Sequence, residues 1–174
     1  MDETSAPAPA AVGTARRALV FWPLFGGIVA TDYVSKRLVE GRLSLHAPQS
    51  VFGDFLRLTL TYNPGAAMNL SLGDASRIVF TALAAAMLVV LFRMYRHTPR
   101  HDTWQAAALA LIAAGAFGNL LDRLRSARGV VDFIDVGVGD ARFWTFNVAD
   151  MGVTCGAVLL ALLLWRRPEE VRGT

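Results

Sequence analysis

The sequence predicts a membrane protein that is mainly α-helical, a four-transmembrane-helix bundle with a small β-sheet in the first outer loop. Composition is the first reason: 54% of the 174 residues are hydrophobic, 18% are charged and the mean hydropathy is +0.41, whereas soluble proteins carry roughly 25% charged residues. The second reason is four apolar stretches, each close to the ~20 residues that cross a bilayer. The third is a strand-like segment after the first stretch. This composition excludes a disordered chain and a chain that coats nucleic acid.

The four apolar stretches define the predicted spans. They comprise residues 18–35, 78–92, 104–121 and 144–165. The first could instead be a cleaved secretory signal peptide, because Arg16 and Arg17 precede an apolar run that ends in the small-residue pattern Ile28-Val29-Ala30. A span is favoured, because apolar residues resume after Asp32 and a discarded segment has no need of a charged pair at Asp32 and Lys36.

Three parts of the chain follow from these spans. Residues 1–17 are rich in Ala, Pro, Thr and Ser and predict a disordered cytoplasmic tail. Residues 18–166 form the membrane domain, with outer loops at about 37–74 and 123–143, and residues 167–174 form a cytoplasmic C-terminal tail. Arginines crowd the span ends beside both tails and beside the short link between spans two and three, which places both termini inside.

Both outer loops contain strand signals. Residues 56–61 alternate between apolar and polar side chains and lead into the turn sequence Asn63-Pro64-Gly65, which predicts a small sheet on the membrane surface. The second loop carries another strand-like run at residues 130–134.

Polar residues at the span ends form one layer. Asp32 lies near the exit of span one, Asn119 and Asp122 at the exit of span three, and Asn147 and Asp150 at the entry of span four. In an up-down bundle all these positions fall on one face of the membrane. Because a charge at mid-membrane costs about 2.5 to 3.5 kcal/mol, such a layer indicates a functional site.

Helical spacing refines this layer. Two sets each project from one side of a helix: Asn119, Asp122 and Arg123, and Asn147 with Asp150. Asp32 and Lys36, the only lysine of the chain, are also one helical turn apart. An opposed pair at a helix end predicts a structural clamp.

Paired carboxylates are the chemistry that this face offers. Asp122, Asp132 and Asp150 belong to it, and four more lie further out: Asp54, Asp74, Asp135 and Asp140. Two carboxylates brought together share one proton, so that one acts as an acid and the other as a base at the same pH. The single cysteine, Cys155, and the three histidines outside the spans, His46, His97 and His101, indicate no metal site, and no cofactor is predicted.

Two other functions fit parts of the pattern. A small proton-coupled transporter or assembly subunit would use Asp32 and Asp150 as a proton relay, but it would need a carboxylate at mid-membrane or at the opposite face, and the spans contain none. A cleaved first stretch would leave a three-helix interaction protein.

Five short motifs occur along the predicted membrane domain. In chain order they are Thr31-Asp-Tyr-Val-Ser-Lys36, Tyr62-Asn-Pro-Gly-Ala-Ala67, Gly118-Asn-Leu-Leu-Asp-Arg123, Gly129-Val-Val-Asp-Phe133 and Phe146-Asn-Val-Ala-Asp150. In this order, and over about residues 20–165, they resemble the motif set of the bacterial lipoprotein signal peptidases, the signal peptidase II family. Departures from the family pattern at Tyr33, Met68 and Trp144-Thr145 involve no carboxylate.

The resemblance implies an aspartyl protease of the cytoplasmic membrane that cuts the signal peptide of prolipoproteins just before their diacylglyceryl-modified cysteine. The family's catalytic pair falls on Asp132 and Asp150, at the periplasmic face. Its supporting residues fall on Asn63, Asn119, Asp122, Arg123, Asn147, Asp32 and Lys36.

The resemblance also implies roles and partners. Asn119, Arg123 and Asn147 are expected to orient the substrate backbone and to stabilise developing charge, and Asp122 is expected to support Arg123 and the outer loop. The first outer loop corresponds to the family's small periplasmic sheet. The implied partners are lipidated prolipoproteins and membrane phospholipid, with no nucleic acid and no obligate protein partner, so a monomer is expected.

Overall fold

The computed structural model describes residues 12–65 and 75–166, and it contains four long helices. They are α1 (Val12–Arg42), α2 (Ser76–His97), α3 (Thr103–Arg125) and α4 (Val148–Trp165). All four are long and apolar enough to cross a membrane, so the predicted four-helix membrane architecture is confirmed. The expectations for residues 1–11, 66–74 and 167–174 fall outside the described residues.

Helix α1 extends beyond its predicted span at both ends. Residues 12–17, assigned to the tail, are its first turns, and Arg17 Nη1 donates to the Tyr95 carbonyl oxygen (3.2 Å) and to that of Thr98 at the end of α2. At the other end the helix continues past residue 37 to Arg42, because Val39 packs into a cluster with residues of the outer sheet. The first outer loop therefore begins later than predicted.

The predicted small sheet is present, and it extends beyond the first outer loop because the strand-like run of the second loop pairs with it. Its strands are β1 (Gln49–Phe52), β2 (Leu56–Asn63), β3 (Val130–Val138) and β4 (Ala141–Arg142), antiparallel and in the order β1-β2-β3-β4. The register pairs Thr61 with Asp132 and Asn63 with Val130. Residues 130–133 are all buried, so β3 lacks the alternation by which a half-exposed strand is predicted.

Helices α3 and α4 approach closely along glycines. A Cβ added at Gly115 would lie 2.1 Å from the Ala149 carbonyl oxygen, and one added at Gly156 would lie 2.7 Å from that of Ala108. The pair Gly152 and Gly156 thus serves close helix packing, as small residues do in membrane bundles. This contact brings the end of α3 beside the beginning of α4, where the predicted polar layer lies.

Candidate active site

Asp150 lies in the first turn of α4, at the third position of a capping box. The Asn147 side chain accepts a hydrogen bond from the Asp150 backbone N–H (2.9 Å), and Asp150 Oδ2 accepts one from the Asn147 backbone N–H (3.1 Å). This reciprocal arrangement satisfies two otherwise free donors at the helix start. A helix N-terminus also favours negative charge, so the position suits an ionised carboxylate.

Asn119 of α3 holds the second oxygen of Asp150. Its Nδ2 donates to Asp150 Oδ1 at 2.8 Å, while its Oδ1 accepts from Lys36 Nζ (3.1 Å) and from Asn147 Nδ2 (3.1 Å). Because an ammonium group can only donate, the Lys36 contact fixes which end of the Asn119 amide is the oxygen. The Asn119 Nδ2 donor is therefore directed at Asp150.

Asp132 lies on β3 and is only 4% exposed. One of its oxygens accepts a hydrogen bond from Asn147 Nδ2 at 2.7 Å, and the Asn63 side chain also hydrogen-bonds this carboxylate. Burial, followed by the charge of Asp150, raises the pKa of Asp132 to about 7, and the two amide hydrogen bonds offset only part of this rise. Asn147 thus bridges two carboxylates that differ in environment.

Beneath the two carboxylates, Lys36 binds two further aspartates. The side chain is 1% exposed, and its Nζ lies 2.8 Å from Asp32 Oδ2 and 2.8 Å from Asp122 Oδ2. Asp32 Oδ1 accepts from the Ala149 backbone N–H at 2.9 Å, and Asp122 Oδ2 accepts from that of Val131 at 3.2 Å. The expected pair of Asp32 and Lys36 is present. Asp32 connects α1 to the start of α4, and Lys36 connects α1 to β3 through Asp122 of α3.

Arg123 extends from α3 toward the turn after β2. Its Nη1 donates to the Asn119 carbonyl oxygen (3.1 Å) and its Nη2 to that of Gly65 (2.9 Å). Its charge interacts with both Asp132 and Asp150, while its Nε has no hydrogen-bond partner within residues 12–65 and 75–166. Asp122, expected to support Arg123 and the outer loop, hydrogen-bonds Lys36 and the backbone of β3, and its charge interacts with that of Arg123.

One cavity of about 700 Å³ opens onto both carboxylates. It extends from the sheet to the second turn of α4 at Val153 and Thr154. Of the residues predicted for the site, five line it: Asn63, Asn119, Arg123, Asp132 and Asp150. The other four, Asp32, Lys36, Asp122 and Asn147, lie behind this layer and hold it in place.

The cavity includes an ion pair that the sequence did not predict. Asp135, expected further out, is buried and lines the same cavity as Asp132. It accepts from Arg142 Nε (2.6 Å) and from Thr59 Oγ1 (2.9 Å). The sequence did contain a signal for this ion pair. Asp135 and Arg142 lie on either side of Gly139-Asp140, a turn sequence that would bring them together in a hairpin.

Comparison with known proteins gives concordant matches. A family model described as Signal peptidase (SPase) II matches residues 24–166. A lipoprotein signal peptidase of Rhodococcus jostii (strain RHA1) is 36% identical over 168 residues, which cover 93% of this chain and 80% of the relative. One of Pseudomonas syringae pv. tomato (strain ATCC BAA-871 / DC3000) is 41% identical over 142 residues, which cover 80% of this chain and 82% of the relative.

Among solved structures, one described as a bacterial membrane enzyme superposes with a TM-score of 0.76 at 27% identity. The match covers 86% of this chain and 93% of that chain. A second structure with the same description gives a TM-score of 0.74 at 28% identity, over 84% and 92% of the two chains.

Proposed function

The chain belongs to the signal peptidase II family, and we propose that Asp132 and Asp150 are the two carboxylates with which it hydrolyses its substrate. It is an aspartic-type membrane protease that removes the signal peptide from prolipoproteins. The observation that carries the proposal is the bridge between the two carboxylates: the Asn147 side chain donates to Asp132, and the Asn147 backbone donates to Asp150, at the wall of one cavity.

The two carboxylates take different roles in this proposal. Asp150 accepts a hydrogen bond on each oxygen at a helix N-terminus, so it is the ionised base that removes a proton from water. The water oxygen then bonds to the scissile carbonyl carbon, and Asp132, whose pKa is about 7, donates its proton to the carbonyl oxygen. As the carbon–nitrogen bond breaks, the proton held by Asp150 passes to the leaving amine, and one hydroxyl of the intermediate returns a proton to Asp132 as the new carboxyl group forms.

The asparagines around the pair are positioning residues in this proposal. The Asn119 amide hydrogen-bonds Asp150 and Lys36, and the Asn147 amide hydrogen-bonds Asp132. Because these contacts occupy both amides, the two asparagines are less suited to orient the substrate, which is the role expected from the sequence. Arg123 retains that role, because it lines the cavity and its charge interacts with both carboxylates. A fixed positive charge beside the reacting carbonyl stabilises the oxyanion that develops there.

The proposed substrate is a prolipoprotein whose cysteine already carries a diacylglyceryl group. The cavity reaches from the sheet into the second turn of α4, so a peptide held in the membrane by acyl chains would present its scissile bond at the carboxylates. We expect the purified protein in detergent to release the signal peptide from a lipidated prolipoprotein much faster than from the same chain without lipid. Equal rates on the two substrates would contradict the lipid requirement while leaving the protease assignment intact.

The raised pKa of Asp132 predicts how cleavage depends on pH. The acid form of Asp132 is lost as pH rises through about 7, so we expect kcat/KM to fall about tenfold per pH unit well above that value. Initial rates on a lipidated substrate measure this, with thermal unfolding recorded at each pH as a control for stability. A rate that stays constant to about pH 9 would show that Asp132 does not act as the acid.

We further propose that the protein resides in the cytoplasmic membrane with both termini inside, as a monomer. Arginines crowd the ends of α2 and α4 and the start of α1, on the side opposite the carboxylates. A reporter fused after Thr174 or inserted within residues 98–102 should therefore read as cytoplasmic, and one within residues 43–48 as external. An external C-terminus would reverse this orientation and place the active site at the cytoplasmic face.

A further inference from the structure

Two adjacent columns of side chains on α2 change from apolar to basic along the helix, and all of them except the half-buried Leu88 are exposed. One column is Leu88, Phe92 and Arg96, and the other is Val89, Arg93 and His97, each with a spacing of four residues. Residues at this spacing lie one above another on a helix. The inward face of the same segment is different, since Leu91 and Tyr95 are buried in the core of the bundle.

The basic ends of both columns have no partner within the protein. No ion pair or side-chain hydrogen bond among residues 12–65 and 75–166 involves the side chains of Arg93, Arg96 or His97, and all three are exposed. They are not needed to cap α2 either, because Arg17 already donates to carbonyl oxygens of its last turn. The charges of Arg93 and Arg96 are therefore available to a ligand.

These two columns form the wall of a groove of about 630 Å³, which all six side chains line. The groove lies at the end of α2 that is opposite the active site, and its apolar part is on a membrane-spanning helix. We propose that it binds an anionic phospholipid of that leaflet, with the phosphate at Arg93 and Arg96 and an acyl chain along Leu88, Val89 and Phe92.

The pattern fits a lipid better than a free phosphate or a protein segment. A free phosphate would gain nothing from the apolar half of the groove, whereas an acyl chain buries against it. The site should prefer an anionic lipid over a zwitterionic one, because each arginine near an anionic membrane surface contributes about 1 kcal/mol of binding free energy. With two arginines, selectivity for an anionic over a zwitterionic headgroup should be about thirty-fold.

Lipid titration of the intact protein in detergent, followed by native mass spectrometry, tests this site. We expect phosphatidylglycerol to bind about thirty-fold more tightly than phosphatidylcholine, and the Arg93→Gln/Arg96→Gln variant to lose that preference. Arg77→Gln is the matched control, since Arg77 is exposed at the other end of the same helix, and it should retain the preference. Neither variant alters the active site, so unchanged cleavage by both would show that they are folded.

Three outcomes would overturn the proposal. They are equal binding of the two lipids by the wild-type protein, an unchanged preference in the double variant, and an equal loss of preference in the Arg77→Gln control. Addition of inorganic phosphate tests whether the site recognises a lipid headgroup or a free phosphate ion. Phosphate alone should not displace the lipid, and displacement would assign the site to a free anion.

Discussion

The variants Asp132→Asn and Asp150→Asn should each lose cleavage of a lipidated prolipoprotein by a factor of about 10²–10⁴ or more. Asparagine keeps the size of the side chain and one of its two acceptor oxygens, but it cannot take up or release the proton that the reaction needs. The measurement is single-turnover release of the signal peptide by purified protein in detergent. Near-normal turnover by either variant would show that the assignment of the pair is wrong, and Asp122 would be the next residue to test.

Two controls separate loss of chemistry from loss of folding. Asp135→Asn changes a carboxylate in the same cavity that is held by Arg142 and Thr59, and it should reduce activity less. The stability of Asp132→Asn has a predictable sign. Because folding raises the pKa of Asp132 from 3.8 to about 7, the folded state is destabilised by its ionisation above pH 7 and not below about 4.

Asparagine carries no charge, so the Asp132→Asn variant should unfold at a higher temperature than the wild-type protein at about pH 8. The difference should shrink as the pH is lowered from about 7 to about 4, below which the carboxyl group is protonated in both the folded and the unfolded wild-type protein. An inactive variant that is also more stable at alkaline pH would tie the loss of activity to the proton and not to misfolding.

Replacing Lys36 with methionine should lower the free energy of unfolding by about 3–5 kcal/mol, the usual effect of removing one partner of a buried ion pair. The change leaves Asp32 and Asp122 buried without the ammonium that lies 2.8 Å from each. Thermal or denaturant unfolding in a fixed detergent measures this. Activity should also fall, because Lys36 fixes the amide of Asn119, which in turn holds Asp150.

The neighbouring residue provides a matched control for Lys36. Arg37 is about one-third exposed, pairs with Glu40 at the surface and reaches Asp122 only at the longer distance of 3.7 Å, so Arg37→Met should cost no more than about 1 kcal/mol. A second test is the Asp32→Asn/Lys36→Met variant, which removes one charge of each sign and should lose less stability than Lys36→Met alone. If Lys36→Met were as stable as Arg37→Met, the buried network would not have the role described for it.

Much of the site could be predicted because helix spacing and span ends are visible in the sequence. Asp32, Asn119 and Asp150 fall at the ends of apolar runs, so their common membrane face followed from topology alone. Lys36, one turn from Asp32, was predicted as its partner, but the partners of Asn119 and Asp150 were not. The bridge from Asn147 to Asp132 depends on β3 meeting the start of α4, and the first four residues of β3 give no periodic signal because all of them are buried.

The boundaries were the least predictable part of the fold. Helix α1 runs past the apolar stretch at both ends, because Arg17 binds the end of α2 and Val39 packs beneath the sheet. Both contacts join segments that are distant in sequence, so the local composition does not predict them. The same reason explains why Asp135 was expected outside the site, since its position depends on the pairing of β3 with β2 and β4.

The order in which the site residues occur along the chain has a consequence for biogenesis. Asp132 is synthesised before α4, but its bridging partner Asn147 and the second carboxylate, Asp150, arrive only with the last helix. Asp150 in turn meets Asn119 only when α4 packs on α3 along their glycines. A nascent chain that has inserted three helices therefore holds an incomplete pair, and proteolytic competence begins only when membrane insertion of the whole protein is finished.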